Sequence, residues 1–276
     1  MRLIRRTLFA LCGAVILACT AAPASGQYLR SASDPATGER YNIELSGGFW
    51  SPTVQGIISS ESLGIAGTDI DFVDDLGFLD TRFPEFRAVL RPGKKHKFRA
   101  AYVPIKYEAE STLRRNVVFN GIVFPVAVPV RSTLDWKAWR LGYEYDFIYR
   151  DRGFLGVVLE AKYTNVDARL ENVFSTEFTS VKAPIPAVGL IGRGYVFPNV
   201  SVTGEFTGFK LPGSIANLDE NDTGSYYDFD VYGTLNFTNN VGVMAGYRRL
   251  TVNYRIDDDY GDFQLKGFYL QGVVRF

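Results

Sequence analysis

The stretch Phe268-Tyr269-Leu270-Gln271-Gly272-Val273-Val274-Arg275-Phe276 decides the fold. Read alternately, it has two faces. Phe268, Leu270, Gly272, Val274 and Phe276 are apolar or small, whereas Tyr269, Gln271, Val273 and Arg275 are mixed. A repeat of two marks a strand whose sides meet different surroundings. The same dyad sets Leu155, Val157, Leu159, Ala161 and Tyr163 against Gly156, Val158, Glu160 and Lys162. It sets Trp139, Leu141, Tyr143, Tyr145 and Phe147 against Ala138, Arg140, Gly142, Glu144 and Asp146. From residue 38 onward no 3.6-residue period is sustained, and alternating segments are separated by turn chemistry.

Composition points the same way. The 276 residues hold 30 basic and 30 acidic side chains without a basic run, which argues against a nucleic-acid partner. Aromatic residues reach 14%, with 21 Phe, 16 Tyr and 27 Gly, as suits strands joined by tight turns. A mean hydropathy of −0.02 is too polar for a bundle of membrane helices, so a membrane-spanning form must be a closed barrel.

Residues 1–26 read as a secretory signal peptide. Arg2, Arg5 and Arg6 supply the positive start, Leu8 to Ala18 the apolar run, and Ala22-Pro23-Ala24 the cleavage pattern. The run is too short to span a bilayer. Cys12 and Cys19 both lie inside this segment, so the exported chain has no thiol or disulfide. A rival reading takes Ile16-Leu17-Ala18-Cys19 as a lipobox that leaves Cys19 lipidated. Residues 27–37 then form a short periplasmic segment, and 38–276 the β-domain.

Alternation permits a soluble periplasmic β-barrel or sandwich that binds a ligand, with the apolar face inside. It equally permits a transmembrane barrel with the apolar face toward lipid. The connections favour the barrel, because they alternate short and long. The short ones are 91–96, 149–153, 197–199 and 238–240; the long ones are 52–80, about 112–130, about 168–184, 212–225 and 256–262. The expectation is an all-β, antiparallel up-and-down transmembrane β-barrel of about ten strands, within bounds of eight to twelve. The spans are 39–51, 82–91, 97–111, 131–148, 153–167, 185–197, 199–211, 226–237, 241–255 and 263–276.

The final residues, Gly272-Val273-Val274-Arg275-Phe276, resemble the C-terminal signature of bacterial outer-membrane β-barrel proteins. Ala245-Gly246-Tyr247-Arg248-Arg249-Leu250 is similar to the strand preceding it in many small members. The resemblance implies residence in the outer membrane, contact with its lipid and lipopolysaccharide, and recognition by the barrel assembly machinery. Phe268, Leu270, Val274 and Phe276 fit that assembly signal, and Gly272 is its weak position.

Barrel enzymes that resemble this architecture (lipid A deacylases and palmitoyltransferases, outer-membrane phospholipases and omptin proteases) use a catalytic histidine, whose pKa suits general-base work. Here the one histidine, His96, sits in Lys94-Lys95-His96-Lys97, a short periplasmic turn. No catalytic, cofactor or metal residue is therefore expected. Turning the apolar faces outward sends Glu44, Glu85, Arg87, Lys106, Glu108, Arg140, Glu144, Glu160, Lys162, Arg193, Glu205, Asp228, Asp230 and Arg248 into the lumen. Such mixed charge either pairs off and plugs a narrow barrel or lines a polar conduit.

Acidic clusters mark two outer loops, at Asp69, Asp71, Asp74, Asp75 and Asp80 and at Asp257, Asp258, Asp259 and Asp262. Asp219-x-Asn221-x-Thr223-Gly224, with Asp230 at its twelfth position, copies a calcium loop without flanking helices. Solvated carboxylates and divalent-cation binding are the two readings. Asn120-Gly121 between apolar runs signals a hairpin, either projecting as an apolar ribbon or packed on the first long loop. Three functions follow: a non-enzymatic barrel serving envelope integrity or surface interaction, a narrow channel or carrier, and a soluble binder.

Overall fold

The computed structural model describes residues 36–59, 67–119, 121–172, 176–211, 223–256 and 259–276. The proposed export segment 1–26, with both cysteines, lies outside them. So do Asp219 and Asn221 of the calcium-like motif, and Asp257 and Asp258 of the last acidic cluster.

Ten long strands close into one antiparallel barrel in simple up-and-down order. They are β1 (Ile43–Ser59), β3 (Phe83–Gly93), β4 (His96–Thr112), β7 (Pro129–Arg150), β8 (Gly153–Glu171), β9 (Thr176–Phe197), β10 (Val200–Lys210), β11 (Thr223–Asn236), β12 (Val241–Ile256) and β13 (Asp259–Arg275). The short β2 (Ile70–Asp71) pairs with the outer end of β1, and β5 (Val117–Phe119) with β6 (Ile122–Phe124) makes a separate hairpin. The last strand closes onto the first over a continuous ladder from Glu44↔Arg275 to Ser59↔Tyr260. Closure removes the free edges that an open sheet would leave. The expected architecture and strand number are thus present.

Two expected long loops are strand instead. The region 168–184 is mostly ladder, since β8 runs to Glu171 and β9 starts at Thr176. Likewise β12 runs to Ile256 and β13 starts at Asp259, in place of a loop over 256–262. These segments are polar enough to read as loops, but at the described end of β8 the exposed Arg169 and Glu171 alternate with the buried Ala168 and Leu170.

Polarity along the longer strands inverts about halfway. In the periplasmic half of β8, Leu155, Leu159 and Ala161 point out while Glu160 and Lys162 are buried. In its outer half Asp167, Arg169 and Glu171 point out while Ala168 and Leu170 are buried. On β7, Leu141 faces out and Arg140 in below, whereas Lys137 and Arg131 face out and Trp136, Leu134 and Val130 in above. The change falls at outward aromatics: Tyr102 is opposite Trp139, which is opposite Tyr163, and Tyr247 is opposite Phe268. Such a girdle is where a barrel leaves the hydrocarbon. A tilted strand needs only about 9–11 residues to span it, whereas β7 and β9 have 22 each. The surplus stands above the girdle as a crown with water outside and a dry core within.

Two lumen assignments are corrected by this inversion. Lys106 and Glu108 lie on the outer wall of the crown, paired with each other at 2.5 Å and with side chains 54% and 60% exposed. Above the girdle the polar face of β4 turns to water, and Ile105 and Tyr107 fill the inside instead.

Spin labels at Leu159→Cys, Tyr163→Cys and Arg169→Cys, all on one outward face, should pass from quenching by a lipid-soluble collider to quenching by an aqueous one. Lipid-type quenching at all three positions would contradict the crown. Leu159→Lys should lower stability in vesicles by roughly 2–4 kcal/mol, the cost of a midplane lysine on the lipid face.

Candidate functional site: the filled lumen

The interior is built in three tiers, each supplied by the inward parity of the strands. At the periplasmic mouth residues 36–41 fold into the opening. Thr37 donates its amide to the Pro198 carbonyl at 2.6 Å, and its own carbonyl accepts from Asn236 Nδ2 at 2.7 Å. Glu39 accepts from Arg193 and from the Tyr195 hydroxyl, each at 2.8 Å. Tyr41 is buried beneath the guanidinium groups of Arg91 and Arg275, 5.4 and 5.7 Å from its ring centre. Gly38 has φ +85°, and a Cβ there would lie 2.8 Å from Arg275. Only glycine suits this packed left-handed turn.

The middle tier is a charge network. Asp228 accepts from Arg248 through both oxygens at 2.9 and 2.8 Å, from Lys162 at 3.0 Å and from Arg140 at 3.2 Å. Glu85 answers Arg87 at 3.1 Å and Arg248 at 3.2 Å, and accepts from Gln271 at 2.9 Å. Asp230 is held by Arg87 at 3.0 Å and by the Tyr269 hydroxyl at 2.8 Å. Glu160 meets Lys162 at 2.7 Å. Toward the periplasm Lys97 joins Glu144 at 2.6 Å and Asp146 at 2.9 Å, Arg99 joins Glu205 at 2.5 Å, and Arg275 joins Glu44 at 2.5 Å.

Twelve of the residues assigned to the lumen from sequence thus lie inside: Glu44, Glu85, Arg87, Arg140, Glu144, Glu160, Lys162, Arg193, Glu205, Asp228, Asp230 and Arg248. Glu39, Arg91, Lys97, Arg99, Asp146 and Arg275 join them. Lys97 and Arg99 alternate with Phe98 and Ala100 within the expected span 97–111, so the same dyad rule reaches them. Among the described residues this gives nine interior carboxylates against nine interior cations. A tier balanced in this way carries no net charge. One cavity within it is about 30 Å³, lined by Glu44, Ser46, Arg87, Arg99, Arg140, Glu160 and Tyr232 among others. That is space for a water or two.

The outer tier is apolar. Trp50, Val54, Ile105, Leu134, Leu250 and Leu265 form its walls, with 0–6% exposure. It is roofed by loop residues 72–78 and by the β5–β6 hairpin, whose Val117, Phe119 and Phe124 are fully buried. The Asn-Gly hairpin therefore packs on the first loop: the Thr68 amide donates to the Val118 carbonyl at 3.0 Å, and the Val118 amide to the Thr68 hydroxyl at 3.1 Å. Its other face, at Val123 and Val126, is exposed.

The acids of the first loop act locally. Asp71 Oδ1 accepts from the amides of Val73 and Asp74, each at 2.8 Å, and shapes the turn. Arg115 ties the hairpin to the loop by donating to Asp75 at 2.7 Å and to the Asp69 carbonyl. Burial alone would raise the Asp75 carboxyl, but donation from Arg115 and from the Asp71 amide outweighs it and holds the group below the usual carboxylate range. Asp80 accepts from Thr53 at 3.2 Å. His96 lies in the β3–β4 turn with Nδ1 2.6 Å from the Tyr143 hydroxyl, exposed and far along the barrel from the crown. Among the described residues no group of three or more His, Cys, Asp or Glu is arranged to hold a metal ion.

A larger hollow of about 790 Å³ lies on the outside of the wall, among Leu141, Leu159, Pro186, Val188 and Gly208. Pairing of β9 with β10 ends there, at Val188↔Gly208, beside Pro186, which has no amide hydrogen to extend the ladder. Its outward apolar lining belongs to the lipid-facing wall.

This is the transmembrane β-barrel fold of bacterial outer-membrane proteins. The chain is similar to the outer membrane protease OmpT of Escherichia coli, with a TM-score of 0.56 and 12% identity over 89% of this chain and 100% of that one. Weaker likenesses are to the Pseudomonas putida toluene transporter TodX (TM-score 0.37, 9% identity, 88% of this chain and 92% of that one) and to Ail, the attachment invasion locus protein of Yersinia pestis (TM-score 0.34, 11% identity, 83% and 97%). No family model matches the sequence. No curated protein matches it either. At these identities the likeness shows the fold alone.

Asp228→Asn should destabilise the barrel by about 3–5 kcal/mol, because Arg248, Lys162 and Arg140 lose a shared buried partner. The temperature at which the folded band converts to the unfolded one on gels measures this. Glu108→Gln on the crown's outer wall should leave that temperature unchanged, since exposed pairs contribute little.

Proposed function

We propose that the protein is a non-enzymatic, non-conducting barrel of the outer membrane, serving envelope integrity or surface interaction by holding a rigid crown above the lipid. The observation that carries this reading is the filled lumen: neutralised charge across the middle, a folded segment in the periplasmic mouth, and a dry core in the crown. The exposed apolar edge at Val123 and Val126 supports a role in contact at the surface. Absence of catalysis is argued from the sequence, whose single histidine lies in the turn at the opposite end from the crown. OmpT is a protease, but a shared fold does not carry its chemistry across.

Export by removal of residues 1–26, docking to lipopolysaccharide and assembly through the terminal strand belong to the same proposal. Phe276 bonds across the seam to Ile43, its amide donating at 2.9 Å and its carbonyl accepting at 3.1 Å. Its ring is 66% exposed on the lipid side, where the assembly machinery would meet it.

Purified protein in planar bilayers should show no single-channel steps. Regular conductance would overturn the non-conducting reading in favour of the narrow channel. In cells, Phe276→Asp should reduce the heat-modifiable band in the outer-membrane fraction several-fold, whereas wild-type protein in the soluble periplasmic fraction would sink the membrane assignment.

A further inference from the structure

The core of the crown is filled by its own roof. Phe78 of the first loop stacks on Tyr107 at 5.4 Å, and Phe72 meets Phe263 edge-on at 5.6 Å. Phe83 lies 5.2 Å from Tyr107, and Trp136 lies 5.4 Å from Phe263. Two rings from a loop thus occupy a cage of four rings from the wall.

The same wall carries polar groups that the roof leaves unanswered. Among the described residues the Tyr107 hydroxyl, the Trp136 indole N–H and the Ser132 hydroxyl have no hydrogen-bond partner, although their residues are only 1%, 3% and 0% exposed. They are neighbours. Tyr107 is directly opposite Leu134, and Ser132 and Trp136 flank Leu134 on the inward face of β7. Buried donors are almost always paired. Phenylalanine and alanine would fill this space without leaving donors unmade, so a permanently closed core does not account for them.

We propose that this chamber is a ligand site open to the cell exterior, taking a small neutral molecule with an aromatic or alkyl body and one hydrogen-bond acceptor. Phe72 and Phe78 hold its place while the roof is down. An acceptor is required because the indole N–H only donates, and both hydroxyls are free to donate. Neutrality is required because the cations of the charge tier beneath, Arg248 and Lys162, are already answered by Asp228, Glu85 and Glu160, and Arg115 at the roof by Asp75. A buried anion would find no partner. The roof is fastened where water reaches it, by Arg115 to Asp75 and by the Ser111 hydroxyl to the Asp75 carbonyl at 2.8 Å. Such contacts can part without disturbing the barrel. The charge tier below forms a floor, so the site is blind, and it stands or falls separately from the conductance measurement.

The test uses the full chain in phosphatidylcholine nanodiscs, with empty nanodiscs as reference, and equilibrium dialysis of acetophenone, ethylbenzene and benzoate. Saturable uptake of one acetophenone per barrel is expected, at least tenfold tighter than ethylbenzene or benzoate. Arg115→Ala should tighten it several-fold by freeing the roof. Trp136→Phe and Tyr107→Phe should each reduce the preference for acetophenone over ethylbenzene to below threefold. No saturable uptake by either wild type or Arg115→Ala overturns the proposal. So does equal affinity for ethylbenzene or benzoate, or an unchanged preference in the two phenylalanine variants. Should those variants fail to fold, the wild-type comparison of the three probes decides alone.

Discussion

Everything in this molecule follows from one constraint, the closure of β13 onto β1. Once the ladder is complete, each side chain has only two destinations, inside or outside, and the choice is fixed by parity along the strand. What changes is the medium. Below the girdle of Tyr102, Trp139 and Tyr163 the outside is hydrocarbon, so apolar residues go out and the charges are forced in. Above it the outside is water, so the same parity carries polar residues out and leaves the interior dry. One register therefore builds two kinds of core in a single barrel, with no break in the hydrogen-bond ladder between them.

Forcing charges inward is tolerable only if they satisfy one another. Isolated ions there would carry a desolvation penalty that an ion pair offsets only with good geometry and further hydrogen bonds. The tier meets this through sharing: Asp228 serves three cations, Glu85 serves Arg87 and Arg248, and Arg99 bridges Glu144 and Glu205. Sharing also ties opposite walls, because β3, β7, β8, β11 and β12 all contribute. The narrow bore of ten strands makes this possible, since side chains from facing strands reach across it.

The dyad of the terminal strand, Leu159 against Glu160, and Leu141 against Arg140 were enough to read ten strands and the faces of their lower halves. The same rule failed at Lys106 and Glu108, and at the polar outer ends of β8 and β9, for one reason. It assumed lipid outside along the whole strand, whereas the longest strands are about twice the length a bilayer needs. The clue was present in Asp167, Arg169 and Glu171, which alternate with Ala168 and Leu170 as regularly as any membrane segment, but with the apolar set on the other parity. Arg91 shares the inward parity of Glu85 and Arg87, so the rule reaches it, but Glu39 was beyond such reading. It is inside because a terminal segment folds back into the mouth, and no periodicity announces that.

The two cores differ in what they leave undone. In the charge tier the acceptors outnumber the bonds that geometry allows, and orphaned oxygens such as those of Asp146 lie beside Lys97, close enough for charge to answer where a well-aimed hydrogen bond is missing. In the crown the surroundings of the orphaned donors are largely aromatic and aliphatic; burial and then the Asp80 carboxylate push the Tyr107 phenol up, yet no hydrogen bond joins the two. An unmet donor in a polar layer is a matter of geometry. An unmet donor in an apolar layer, repeated three times on one patch of wall beneath a roof fastened at its rim, is a matter of missing chemistry. The barrel's outer half is therefore better understood as a lidded container than as a simple extension of the plug.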